Sequence, residues 1–209
     1  MNKPAIIAIA ASLIVLGLSP AASESKISKP RSNEVILVTR FVVTPSLDMD
    51  FFAHYAEFEG PGAEGTPDSF LKDKSKIPGN TLYLQVNEPG KEETKAKRLS
   101  SGLFGEFNFT KVSIPKNREI EVDGARVYLT DNAFLFFGLP LVRKVVIPEG
   151  ANYVYLGSFN YAMKDDFFNF GSITQLDEYD AAVKAVSDKF GKVAELVRVN
   201  LLSLEEEKK

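Results

Sequence analysis

The 209-residue sequence holds no cysteine and no tryptophan, and its one histidine is His54. Without cysteine no disulfide can staple the fold, and a bacterial lipoprotein anchor, which needs a cysteine just after its signal, is excluded. A serine hydrolase triad would have to use His54, yet no G-x-S-x-G elbow occurs in the chain. Ser69 and Lys72 match S-x-x-K, but without the K-T-G that accompanies it in penicillin-interacting enzymes the match reads as chance. No G-x-x-x-x-G-K-[ST] loop is present to cradle phosphates. Basic residues are not in excess either: 25 Lys and Arg stand against 28 Asp and Glu, so there is no broad positive field for nucleic acid.

What the chain does have is a leader and the material for a core. Met1 to Ser25 carries one early cation, Lys3, then an apolar stretch from Ala5 to Leu18, then Ser19-Pro20 and small residues, the layout of a secretory signal peptide. The 14 residues from Ala5 to Leu18 fall short of the run of about 20 that a spanning helix needs. Cleavage after Ala22, Ser23 or Ser25 is expected; an uncleaved anchor is the alternative reading. Removing residues 1–23 takes away only Lys3 and leaves 24 basic against 28 acidic residues. Sixteen Phe and seven Tyr in a chain that is 44% hydrophobic predict an aromatic-rich core and argue against disorder. The expected organisation is a signal at 1–23, a polar leader at 24–33, a single domain at 34–203 and a charged tail at 204–209.

The domain reads mainly as strands. "EVILVTRFVV" (Glu34 to Val43) is a nearly continuous apolar, β-branched run, the pattern of a strand buried on both faces, and Pro45 stops it. The pattern over 48–78 is unresolved, with helix and strand both open. "TLYLQV" (Thr81 to Val86) alternates cleanly, and "NEPGKEETKAKR" after it reads as a charged, mixed-sign loop. In "LFGEFNFTKVSI", apolar Phe107, Phe109 and Val112 set against polar Glu106, Asn108 and Lys111 predict a half-buried strand. "REIEV" and "ARVYL" flank Asp123-Gly124, which predicts a hairpin with a type I′ turn. In "NYVYLGSFNYAM" (Asn152 to Met163), strict alternation puts Tyr153, Tyr155, Phe159 and Tyr161 on one face. Gly157 interrupts that row and marks either a bulge or a place where a ring lies over the backbone. One segment is helical in period: Tyr179, Val183, Val186 and Phe190 form a stripe, Asp177 can cap its start with Asp180 three residues on, and Gly191 can end it. "AELVRVNLL" beyond it favours a closing strand, with a second helix as the alternative.

Two stretches bear on function. Lys111-Val112-Ser113-Ile114-Pro115 and Lys144-Val145-Val146-Ile147-Pro148 are near copies, each ending a strand at a proline. Two short copies do not make a solenoid, and they are expected to be equivalent corners of one sandwich. "IPEGANYVYLGSFNY" (Ile147 to Tyr161), with Glu149 set between proline and glycine, resembles the Pro-x-Gly turn and Tyr-rich strand of transthyretin-like domains, including carboxypeptidase regulatory-like domains and similar modules of bacterial envelope proteins. The resemblance spans about Thr81 to Tyr161. It implies a small antiparallel sandwich used for binding or support, with no catalytic residues to carry over. The second stretch, "AFLFFGLPLV" (Ala133 to Val142), is wholly apolar, too short to span a membrane and too hydrophobic for an exposed loop. Its plainer reading is a buried strand ending at a bend at Gly138 and Pro140. The sharper reading is a partner surface made by Phe134, Phe136 and Phe137.

Together these readings predict an antiparallel, transthyretin-like β-sandwich with one C-terminal amphipathic helix. The expected role is non-enzymatic binding or support in the bacterial envelope, periplasmic or secreted, with an unidentified protein or envelope partner. No cofactor, no nucleic acid and no membrane span after cleavage are expected. A secreted hydrolase is the alternative, using His54 with Asp48, Asp50 and Glu57, which could equally hold a metal if they converge, or the adjacent carboxylates Asp165-Asp166 and Asp177-Glu178.

Overall fold

A computed structural model of the chain describes residues 27–47, 80–87, 97–129, 136–164, 170–191 and 195–201, the side chains of 97–101 excepted. The signal segment, the 48–78 region, His54 with its acidic neighbours, Ser69, Lys72, Phe134 and Asp165-Asp166 lie outside the described residues. Among the described residues nine strands make two sheets. The first contains β1 (Glu34–Thr44), β4 (Phe107–Ser113), β7 (Tyr153–Met163), β8 (Phe170–Leu176) and β9 (Leu196–Arg198); the second contains β2 (Thr81–Asn87), β3 (Lys97–Leu103), β5 (Glu119–Tyr128) and β6 (Phe136–Val146). Their orders are β4-β1-β7-β8, with β9 also on β7, and β3-β2-β5-β6. Pairing is mainly antiparallel, but β1 and β9 each run parallel to β7, so the first sheet is mixed. The fold is thus mainly β, two facing sheets with one helix near the C-terminus.

β1 lies between β4 and β7, and its continuous apolar run follows from cover on both faces. Val35, Leu37, Phe41 and Val43 enter the layer between the sheets, together with Leu82, Leu84, Val127, Leu139 and Leu156. Ile36 and Val38 point the other way and meet helix α1 (Tyr179–Phe190). The helix buries Ala182, Val186 and Phe190, while Val183 is 37% exposed, so the stripe runs through 182 rather than 183. Small Ala182 at the contact leaves room for the rings of Tyr153, Tyr155 and Phe109 beneath the helix. Phe190 closes that layer, 5.2 Å from Tyr153 and 5.5 Å from Phe109 between ring centres. Asp177 does not cap the helix; Glu178 holds that position without a capping side-chain hydrogen bond, and Gly191 ends the helix as expected, its N–H on the Ser187 carbonyl.

Two expectations fail where pairing overrides local turn chemistry. Asp123-Gly124 forms no hairpin: β5 runs straight through it, paired on one side with β2 and on the other with β6. Both ladders slip there, so the dipeptide is a bulge in a central strand, and Asn87 Nδ2 donates to the Asp123 carboxylate beside it. Only Gly124 takes positive φ, at 141°, whereas a type I′ turn needs it at both residues. Likewise Gly138 and Pro140 do not end a strand, because β6 is an edge strand of its sheet and an edge tolerates a residue without an N–H. Asn108 is also displaced from its expected outward position: it is fully buried between the sheets, with Gly102 of β3 against its side chain, and donates to the Glu106 carbonyl. β3 and β8 went unanticipated. "KRLSSGL" has no β-branched residue and "FGSITQL" has two side by side without the alternation of a strand, and a neighbouring strand imposes their conformation.

The two near-copies are corners of the sandwich, as expected. After β4 the chain crosses to the second sheet, and after β6 it crosses back to the first. In each, the fourth residue of the turn donates to the proline carbonyl: Arg118 to Pro115 and Ala151 to Pro148. Arg118, at φ 58°, then ties the corners together, its Nε donating to the Ile147 carbonyl at 2.7 Å and its Nη2 to that of Pro148. On the leader side, Lys111 Nζ donates to Ser28 Oγ and the Lys29 carbonyl.

A Cβ at Gly124 would fall 2.1 Å from the Leu139 carbonyl oxygen of the adjoining strand, whereas one at Gly138 would meet nothing within 4 Å. Gly124→Ala is therefore expected to lower unfolding free energy by at least about 2 to 3 kcal/mol, from clash and strain together. Gly138→Ala should change it by less than about 1 kcal/mol. Urea unfolding midpoints of the two variants check the contrast, and equal midpoints would reject the bulge.

Candidate functional site

Strand β7 carries one residue too many for its neighbour. Val38 of β1 lies opposite Tyr155 and Thr39 opposite Gly157, which leaves Leu156 unpaired. Gly157 takes φ 126°, and a Cβ there would sit 2.9 Å from Gln175 Nε2 and 3.0 Å from the Phe159 ring. Of the two sequence readings of this glycine, the structure shows both: a bulge, with a ring close over it. The extra residue reverses the phase of the strand. Tyr153 and Tyr155 face the helix, while Phe159 and Tyr161 face the core between the sheets, so the aromatic row is divided.

The free side of β7 changes partner at the same point. β9 pairs with Tyr153 to Tyr155 and β8 with Ser158 to Met163, and a cleft of about 530 Å³ opens between them. Leu156 and Tyr155 contribute to its lining, with residues 175–177 on one wall and 198–201 on the other. Around its helix side the polar groups are joined in pairs. Arg198 bonds Asp177 at 3.0 Å and lies 4.5 Å over the Tyr179 ring, whose hydroxyl donates to the Leu196 carbonyl. Arg40 reaches Glu178 at 2.5 Å and donates through Nε to the Gly105 carbonyl at 2.8 Å. Tyr155 and the fully buried Ser158 share a hydrogen bond of 3.0 Å. Burial pushes the Tyr155 hydroxyl above the usual tyrosine range, with the Glu178 charge acting in the same direction.

These contacts fasten the start of α1 to β1, β7 and β9. They do not assemble a nucleophile with a base: Ser158 is covered and bonded to Tyr155, and both carboxylates face guanidinium groups. Asp177 and Glu178, adjacent in sequence, go to different arginines. Among the described residues no three His, Asp or Glu side chains gather as a metal site requires, and no helix is long and apolar enough to cross a membrane. Sequence reasoning missed Arg40, Tyr155, Ser158 and Arg198 as a group. The available signal was Arg40 itself, a lone cation inside an apolar strand, which requires a partner.

The apolar run is split by the alternation of β6. Phe137 is 6% exposed and points inward, its ring 5.9 Å from that of Phe104, so it belongs to no exposed patch. Leu139 and Leu141 follow it into the core. Phe136 is 40% exposed on the outer face of the second sheet, with the Arg126 guanidinium 4.4 Å over its ring and the ring of Tyr128, itself fully buried, beside it at 5.7 Å. Tyr83 continues the cluster, edge-on to Tyr128 at 5.5 Å. Val142, 45% exposed, and Val146 extend the same face along the edge strand. No family model matches the sequence, and neither a curated protein nor a solved structure is detectably similar to it.

Tyr153, Tyr155 and Tyr161 all resist ionisation in the fold because burial disfavours the phenolate. Their pKa values are raised on folding, so their contribution to stability is complete below the unfolded value of about 10 and is lost as pH climbs beyond it. Tyrosinate absorbance should show these groups titrating late and together with unfolding; reversible titration of every tyrosine near pH 10 without unfolding would contradict the packing. Arg40→Ala is expected to cost about 1 to 3 kcal/mol, since it strips a partly buried carboxylate of its partner. Arg198→Ala, at an exposed pair, should cost under about 1 kcal/mol. Chemical denaturation ranks the two.

Proposed function

We propose that the chain is an exported, non-enzymatic β-sandwich protein with a binding or structural role in the bacterial cell envelope. The observation that carries this reading is the edge of the second sheet's outer face, where Phe136, Val142 and Val146 stand exposed and the Arg126 guanidinium lies over the Phe136 ring. An aromatic ring held under a guanidinium at a sheet edge suits contact with a protein or envelope component. The charged groups beside the cleft, by contrast, are committed to internal ties. Export rests on the sequence of Met1 to Ser25, and the lack of cysteine leaves no site for a lipoprotein anchor. An acidic excess after cleavage disfavours nucleic acid as partner.

Expression of the full chain in a bacterium, followed by separation of cytosol, periplasm, membranes and medium, tests both parts. The chain is expected outside the cytosol, shortened by 22 to 25 residues by mass. Phe136→Ser with Val142→Ser should lower the envelope-bound share several-fold, by roughly the loss of 1 kcal/mol or more of contact, and leave the thermal midpoint near wild type. Retention at full length in the cytosol would sink export, and equal envelope binding by the double variant would sink the outer face as the contact.

A further inference from the structure

The sandwich closes differently on its two flanks. On one, β3 passes over β4, and the turn between them is held by Arg40 at the Gly105 carbonyl. On the other, the edge strands β6 and β8 lie one above the other: Phe137 meets Phe170 at 6.4 Å, and the Tyr161 hydroxyl beneath β6 donates to the Pro140 carbonyl at 2.8 Å. Edge strands expose unpaired N–H and C=O groups and invite another strand unless something blunts them.

β6 is blunted in the middle. Pro140 offers no N–H, its carbonyl is taken by Tyr161, the Val142 carbonyl accepts from Arg143 Nη1 at 2.7 Å, and Arg143 and Lys144 put two cations into the strand. Among the described residues β8 has none of these devices and no partner strand on its outer side. Phe170–Leu176 contains no proline and no charge, all five residues from Gly171 to Gln175 are exposed, and Ile173 is 45% exposed. Since neighbours in a strand face opposite ways, exposure at five successive positions means that β8 stands clear of the layers on both faces of its sheet.

We propose that β8 is a self-pairing edge, through which two copies of this chain join antiparallel about a two-fold axis at Ile173, making one sheet continuous across the dimer. The sequence of the strand suits a copy of itself. With Ile173 opposite its counterpart, Ser172 falls opposite Thr174 of the second copy, a favourable hydroxyl pair, and Gly171 opposite Gln175. No like charges meet. The same operation on the C-terminal half of β6 would set Arg143 and Lys144 near their own counterparts, which is destabilising. The slip in the β7 ladder between Ala162 and Met163 places Gly171 as an extra residue and turns Phe170 back toward the core, its ring 5.2 Å from that of Tyr161. The pairing is therefore confined to Gly171 through Gln175. So short a contact makes a weak, reversible dimer rather than an obligate one.

The absence of cysteine gives a direct test. In the purified chain, Ile173→Cys places its only thiol on the two-fold axis, where directly opposed Cβ atoms lie about 4.5 to 5.5 Å apart, close to disulfide reach. Oxidised glutathione is expected to convert most of this variant to a covalent dimer, at least about tenfold faster than Val142→Cys on β6. Wild type should show a monomer–dimer equilibrium in sedimentation with a midpoint between about 1 μM and 1 mM. Ile173→Lys should weaken it roughly tenfold, with an unchanged circular dichroism spectrum. A wild type that stays monomeric up to about 1 mM overturns the proposal. So does cross-linking of Val142→Cys as fast as that of Ile173→Cys.

Discussion

One extra residue in β7 sets the layering of this molecule. Up to Tyr155 the strand shows its aromatic rings to the helix; beyond Gly157 it shows them to the second sheet. Without the bulge, Tyr153, Tyr155, Phe159 and Tyr161 would share a face, and one of the two cores would lack its large side chains. The same irregularity divides the free side of β7 between β9 and β8 and opens the cleft between them. Bulges are rare in parallel pairs, and this one lies in the parallel β1–β7 ladder. Glycine meets its requirements, since φ 126° and the close approach of Gln175 and Phe159 leave little room for a Cβ.

Once the layers are set, side chains with long polar ends join them. Arg118 binds the two proline corners, Arg40 ties β1 to the β3–β4 turn and to the helix start, and Arg198 links β9 to the link before the helix. Each reaches a carbonyl or carboxylate that strand pairing leaves over. In a chain that can form no disulfide, such ties hold crossings that the hydrophobic layers alone would leave free to shift, because burial is strong but not directional. The chemistry-bearing residues near the cleft are therefore explained by architecture, and the functional surface is to be sought where side chains face outward without such a task.

The open flank shows two treatments of the same hazard. β6 spends a proline, a buried tyrosine hydroxyl and an arginine on covering its edge, yet keeps exposed phenylalanine and valine on its outer face. Among the described residues nothing covers the edge of β8, which carries few large apolar groups. The contrast separates a face suited to side-chain contact from an edge suited to backbone contact. One small sandwich thereby presents two chemically different surfaces side by side.

Much of the architecture was legible in the residues. β1 announced burial on both faces by its unbroken β-branched run, β2 by alternation, the helix by its period, and the corners by repeated Lys-Val-x-Ile-Pro, because each of these signals is local. Composition alone excluded disulfides, whatever the fold. The failures occurred where partners several tens of residues away decided the outcome. Asp123-Gly124 carries the local signal of a hairpin, but pairing with β2 and β6 on both sides of β5 outweighs a turn preference. Asn108 is polar and is buried because β3, itself unreadable, crosses it. Phe136 and Phe137 are alike in sequence and opposite in exposure, since which alternate positions face inward depends on the register of β6 with β5. The sequence by itself determined which segments could bury an apolar face and which chemical groups are available. Only the tertiary structure decided which face of each strand meets water, because that depends on register, and register is a property of two strands together.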